Sequence, residues 1–171
     1  MIFVTVGTQP HPFDRLVVAA DRLAAGGGEA VVVQYGTSRA PVRYARCVDL
    51  LPFAELEEHV RSARAVVAHA GIGSVALCLR HGQRPIVVPR LQALGEAIDG
   101  HQLPFAHRLA ELDLITLVED VDDLAQAVAA PRAAGSPIGP SSTLTDELVM
   151  YISRYARPRV EGRGVGGPMP D

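Results

Sequence analysis

The sequence predicts an α/β fold, a Rossmann-like doubly wound parallel sheet of about six strands. Three observations carry that expectation. Short β-branched apolar runs recur along the chain, apolar on both faces as strands of a covered parallel sheet are. Between them lie stretches with apolar residues at i, i+3, i+4 and i+7, the spacing of helices that bury one face. Strand and helix alternate from Ile2 to Ala129, which is the order of βαβ units.

The elements follow in turn. Ile2 to Val6 is a buried strand, broken by Gly7-Thr8-Gln9-Pro10-His11-Pro12. A helix starts near Phe13, spaced by Leu16, Val17, Ala20, Leu23 and Ala24, and Gly26-Gly27-Gly28 ends it. Ala30 to Val33 is the second strand, Val48 to Leu51 a short third, and Phe53 to Ala63 a helix. Ala65 to Ala68 is the fourth strand, and the glycine loop at 71–73 turns it into a helix reaching about His81. Pro85 to Val88 is the fifth strand, with proline at its first position, where a missing N–H costs least. A long loop runs from Arg90 to Gly100, and a helix from His101 to Leu112. Leu114 to Val118 is the sixth strand, and Val121 to Ala129 another helix. Residues 1–130 thus make the domain, 131–142 a Pro/Gly/Ser linker, 143–157 a C-terminal helix, and 158–171 a Gly/Pro-rich tail expected to be disordered.

Composition narrows the class. The chain has 171 residues, enough for one domain with a sizeable core. A net charge of -3 gives no global basic field to draw it to nucleic acid or an acidic membrane. Cys47 and Cys78 fall on expected buried elements, which suggests reduced structural thiols and a cytoplasmic protein. No apolar run is long enough to span a bilayer, so work at a membrane would need a partner.

Ligands on such sheets bind beyond the carboxyl ends of the strands, near the switch in strand order. Those ends are the loops at 7–12, 34–38, 69–74 and 90–101. In His69-Ala70-Gly71-Ile72-Gly73-Ser74 the two glycines let backbone approach a bulky anion, and Ser74 can cap the helix or bind a phosphate oxygen. A tight βα turn would need glycine for geometry alone, and the pattern does not choose between the two. It lacks the third glycine of the dinucleotide fingerprint and the lysine of a Walker loop. Arg90, Glu96, His101 and Gln102 could hold sugar hydroxyls, or form a solvated loop and an ordinary helix start. Gly7-Thr8 could pack on phosphates or simply turn the chain, and His11 could act as a base or stand merely exposed. His59 and His81 read as exposed helix histidines, and His107 as outward-facing. No metal-ligand spacing is present.

Taken in order, His69-Ala70-Gly71-x-Gly73-Ser74, Gly82, Pro85-Ile86-Val87-Val88-Pro89 and His101-Gln102 resemble the UDP-sugar signature of the glycosyltransferase family 28 C-terminal domain. That family has the GT-B fold, two Rossmann-like halves with the nucleotide sugar held by the C-terminal half. Phe3 to Thr8, Pro12 to Leu16, and Pro89-Arg90 followed by Leu94-Gly95-Glu96 sharpen the match to single-domain catalytic subunits of two-component transferases. One branch adds the second N-acetylglucosamine to dolichol-linked sugar; the other builds bacterial exopolysaccharide. The resemblance runs from about Ile2 to Ala129.

It implies a UDP-dependent hexosyltransferase acting on a lipid-linked saccharide, with no cofactor or metal. Gly71, Gly73 and Ser74 would bind the diphosphate, flanked by His69 and Ala70, with Gly7 and Thr8 opposite. His101 and Gln102 would contact the transferred sugar, with Arg90 and Glu96 in the same loop. His11 is the candidate base within the chain. A membrane-anchored partner would supply the N-terminal half, hold the acceptor and keep the protein at the inner face of the membrane, with the 143–157 helix a candidate docking element and a homo-oligomer possible in its absence. One departure stands out. Many relatives carry a ribose-binding glutamate where this chain has Leu77, so Glu96 replaces it, backbone alone holds the ribose, or binding is weak. The alternative function is a nucleotide-sugar-binding module without turnover. A sugar-nucleotide epimerase would need a second Rossmann half.

Overall fold

A computed structural model describes residues 1–130. The expected linker at 131–142, helix at 143–157 and tail at 158–171 lie outside the described residues. Strands β1 (Ile2–Thr5), β2 (Val31–Gln34), β3 (Arg46–Val48), β4 (Ala65–His69), β5 (Ile86–Val88) and β6 (Thr116–Leu117) form one sheet in the order β3-β2-β1-β4-β5-β6. Every neighbouring pair is parallel. Helices α1 (Asp14–Ala25), α2 (Phe53–Ser62), α3 (Ile72–Arg80), α4 (Gln102–Glu111) and α5 (Leu124–Ala129) connect or follow them.

Side chains alternate along each strand, so both faces of the sheet must be covered. Ile2, Val4, Val31, Val33, Ala65 and Val67 meet Leu16, Ala20 and Val17 of α1 and Leu124 and Val128 of α5 on one face. Phe3, Val32 and Val66 meet Val60 of α2 and Leu77 and Cys78 of α3 on the other. This is the doubly wound architecture that the alternation predicts.

The departures concern edges. The third strand forms at Arg46–Val48 rather than Val48–Leu51. Pairing to β2, with Val32 opposite Arg46 and Gln34 opposite Val48, selects it. The Asp21 carboxylate fixes the approach by accepting from the backbone N–H groups of Arg43, Tyr44 and Ala45. Leu51 turns inward to pack on the Phe3 cluster, while Leu50 stays exposed. Cys47 is therefore exposed on an edge strand, not buried as expected, whereas Cys78 is buried. His59 and His81 are half-buried rather than exposed: His59 stacks on Phe3 at 4.9 Å, and His81 pairs with Glu57 at 2.8 Å. The sixth strand shrinks to Thr116–Leu117, and the last helix opens with a 3₁₀ turn at Val121–Asp123. His107 faces outward as expected and meets Glu119.

Candidate functional site

From β1 the chain crosses to β2 on one side; from β4 it crosses to β5 on the other. These two strands are neighbours, with Thr5 in register with Ala68, so their carboxyl ends open a crevice at the switch point. Gly7 emerges on one side of it and His69 to Ser74 on the other.

The imidazole of His69 fixes the width of this gap. It is 6% exposed, and it fills the slot between the two loops. A methyl group on Gly7 would stand 2.3 Å from its Cε1, and one on Gly71 would stand 2.1 Å from its Nε2. Gly7 also has φ +76, a left-handed conformation that costs other residues strain. A short polar chain anchors that turn: the Gly7 N–H donates to Thr5 Oγ1 at 3.2 Å, and Thr5 Oγ1 donates to Gln34 Oε1 at 2.5 Å. The one polar position in β1 was the visible sign of it. Burial pulls the pKa of His69 down to about 4, the positive charge of Arg90 adds to this, and the Thr5 backbone opposes it. The ring is therefore neutral at neutral pH and offers no charge to a phosphate. Its Nδ1 has no hydrogen-bond partner among the described residues.

Gly71 is the N-cap of α3, with extended backbone (φ -96, ψ 130), and no side chain caps the helix. Ser74 lies inside the first turn instead of capping, because the helix begins at Ile72. The first-turn N–H groups of a helix have no partner within it. Those of Ile72, Gly73 and Ser74 meet no hydrogen-bond acceptor among the described residues. The helix dipole places partial positive charge at the same spot. Gly73 differs from the other two glycines. It is exposed, and a Cβ there would meet nothing within 4 Å. The protein's own packing gives no reason for it, and glycine in a helix costs about 0.5–1 kcal/mol relative to alanine.

The opposite rim is built differently from the expectation. Arg90 is 1% exposed, turned into the domain. Its guanidinium donates to the carbonyls of Val6 at 2.7 Å, His11 at 2.7 Å and Glu96 at 2.9 Å, and lies 4.7 Å over the Phe13 ring. Burial lowers its pKa to about 10, against the pull of Glu96, so it remains a cation at neutral pH. Glu96 is 6% exposed; its carboxylate takes both a bidentate pair from Arg15 and the Leu91 N–H. Neither side chain lies on the surface where sequence had placed it. Together they tie the 7–12 loop to the 90–100 loop, which contains a 3₁₀ turn at Gln92–Leu94. Glu96 is thus already engaged by Arg15 and the Leu91 N–H. Leu77 is 6% exposed and packs in the Phe3 cluster, facing the sheet. Gln102 is 1% exposed, and its Oε1 accepts from the Arg90 N–H at 3.1 Å. His101 is the N-cap of α4, 44% exposed, with Nδ1 on Asp99. Thr8 is exposed and His11 half-buried. Arg15 and Phe13 were missed as supports, since nothing in the sequence links Arg15 to Glu96, 81 positions away, or Phe13 to Arg90.

No three His, Cys, Asp or Glu side chains among the described residues form a group that could hold a metal ion. Nor is any described helix long and apolar enough to cross a membrane.

A doubly wound sheet with a glycine loop opening a helix at the switch point defines a Rossmann-like domain. More particularly, the chain belongs to the glycosyltransferase family 28 C-terminal domain family, whose sequence profile matches residues 1–135. No curated protein gives a significant match. Among solved structures, CalG4, the calicheamicin glycosyltransferase, is similar at 20% identity and TM-score 0.55, over 91% of this chain and 43% of its own. The glycosyltransferase of kitacinnamycin is similar at 17% identity and TM-score 0.57, over 90% and 38%. VinC, solved in complex with DTDP, is similar at 20% identity and TM-score 0.50, over 90% and 41%. The chain spans about two fifths of the length of these proteins. At such identities they show the fold: this domain corresponds to the C-terminal half of a GT-B glycosyltransferase.

Proposed function

We propose that this domain binds a UDP-sugar at the start of α3 and transfers its hexose to a lipid-linked saccharide in polysaccharide or glycan synthesis. A membrane-associated partner subunit would complete the active site and hold the acceptor at the cytoplasmic face. The observation that carries the donor site is Gly73, a helical glycine with open space before it, beside three N–H groups that meet no acceptor among the described residues.

The acceptor hydroxyl oxygen bonds to the anomeric carbon as the bond from that carbon to the diphosphate breaks. The electron pair of the broken bond goes to the β-phosphate. First-turn N–H groups of α3 stabilise that charge where it develops, so the leaving group needs no metal in this reading. Gly7 and Gly71, spaced by the His69 ring, shape the crevice; Thr8 and Ala70 lie at its edges. Arg90 and Glu96 hold its far rim rather than touch the sugar, and Gln102 joins them through the Arg90 N–H. His101, exposed at the start of α4, then becomes the sugar contact, and His11 the base within the chain.

Leu77 favours a second reading, binding without turnover, because the ribose would lack a carboxylate partner. Calorimetry with UDP, dTDP and UDP-sugars, followed by turnover with and without the partner, separates the readings. Tight UDP binding with transfer supports the first. UDP binding that never leads to transfer supports the second. Preference for dTDP would overturn the uridine assignment.

A further inference from the structure

Arg90 is a buried cation that the protein solvates but does not neutralise at contact. Its guanidinium is held by the carbonyls of Val6, His11 and Glu96, which are dipoles and not charges. It forms no ion pair among the described residues. Glu96, the carboxylate that acts on it, already binds Arg15 and the Leu91 N–H. Asp14, the next acidic residue along α1, accepts from the backbone N–H groups of Arg39 and Ala40. Arg90 Nε meets no acceptor among the described residues. Burying a charge away from its counter-charge is costly.

The strand order places that charge. Arg90 follows the carboxyl end of β5, and its guanidinium reaches Val6 O, just beyond the end of β1. Strand β4 lies between those two, with His69 in register with Val88 and Ala68 with Thr5. The side chain therefore crosses the carboxyl end of β4, over about 10 Å, or two strand spacings. From that end the glycine loop turns into α3. The charge is felt there, since it helps to lower the pKa of His69, the last residue of β4. Through the bond to Val6 O, bond lengths also put a guanidinium nitrogen within about 7 Å of Gly7 Cα.

We propose that Arg90 selects for the anionic part of the ligand: held behind the crevice, its fixed positive charge favours a diphosphate at the start of α3 without touching it. The inference rests on the nucleotide reading and adds to it a source of charge recognition besides the helix terminus. The same field would favour the charge that develops on the leaving diphosphate. At about 10 Å and an effective dielectric of about 20–40, one charge changes the affinity for another by about fourfold to fifteenfold.

Calorimetry of the full chain with UDP, UMP and uridine, beside thermal melts, separates charge from architecture. Arg90→Lys keeps the charge but not the forked donors. It should melt lower and yet keep the ratio of UDP to uridine affinity within about threefold of wild type. Arg90→Met loses the charge, so UDP should weaken about tenfold, UMP less, and uridine less than about twofold. Glu96→Gln removes the counter-charge together with its bidentate pair to Arg15. It should melt lower while the same ratio rises about threefold. A purely structural Arg90 predicts that the ratio falls wherever the melting temperature falls. Arg90→Lys and Glu96→Gln decide between the two even where Arg90→Met does not fold. Wild type that binds no UDP would overturn the nucleotide reading and this inference with it. UDP binding whose ratio to uridine drops about tenfold in Arg90→Lys, or does not rise in Glu96→Gln, would overturn this inference alone.

Discussion

Replacing Gly73 by alanine separates what the fold needs from what a ligand needs. The residue is the second of α3, in helical backbone, and the added Cβ meets no atom within 4 Å. The fold should therefore gain about 0.5–1 kcal/mol from the loss of glycine's freedom in the unfolded chain. For a domain of this size that raises the melting temperature by about 2–5 °C. A diphosphate oxygen approaching the Gly73 N–H would meet the new methyl beside it. Losing or bending one charge-assisted hydrogen bond, about 1.5–3 kcal/mol, should weaken UDP tenfold or more. Gly71→Ala gives the contrast: its methyl would stand 2.1 Å from His69 Nε2, and such overpacking costs about 1–3 kcal/mol. Thermal melts of the free proteins and calorimetry with UDP read both effects. A stabilised Gly73→Ala that binds UDP as well as wild type would refute the reasoning. So would one that melts lower.

Two further predictions concern the frame of the site. Arg90→Met should destabilise the domain by about 3–5 kcal/mol, because the Val6, His11 and Glu96 carbonyls lose their buried donor; the denaturant midpoint reports it. His69 should make stability depend on acid. Its folded pKa, about 4, lies below the ordinary 6.5, so the unfolded chain takes up the proton first. Stability is full above about 6.5, falls as pH drops towards about 4, and levels from this group below that. His69→Asn, measured by urea midpoints across that range, should remove this part of the slope; an unchanged slope would show that the ring is not held neutral.

The sheet was legible because buried parallel strands carry their own signal: Ile2 to Val4 and Ala65 to Ala68 are apolar on both faces. The third strand was not, since Arg46 and Cys47 lie on an edge where pairing to β2, not apolarity, decides the span. The glycine loop and its place at a strand–helix junction were readable. Which glycine serves packing and which stands open was not, because that depends on the His69 ring reaching across to Gly7. Arg90 and Glu96 read as surface polar residues of a long loop. Only the fold shows three carbonyls and the Phe13 ring waiting for the guanidinium, and Arg15 for the carboxylate. Leu77 was equally unreadable from sequence: only the fold turns it to the sheet, into the Phe3 cluster.

The proposed donor site rests on the N–H groups at the start of α3, so the most direct measurement is an amide NMR titration of the full chain with UDP. The account predicts that the resonances of Ile72, Gly73 and Ser74 move most, together with Gly7 across the crevice. UDP binding that leaves those amides unmoved and shifts another part of the sheet would contradict it.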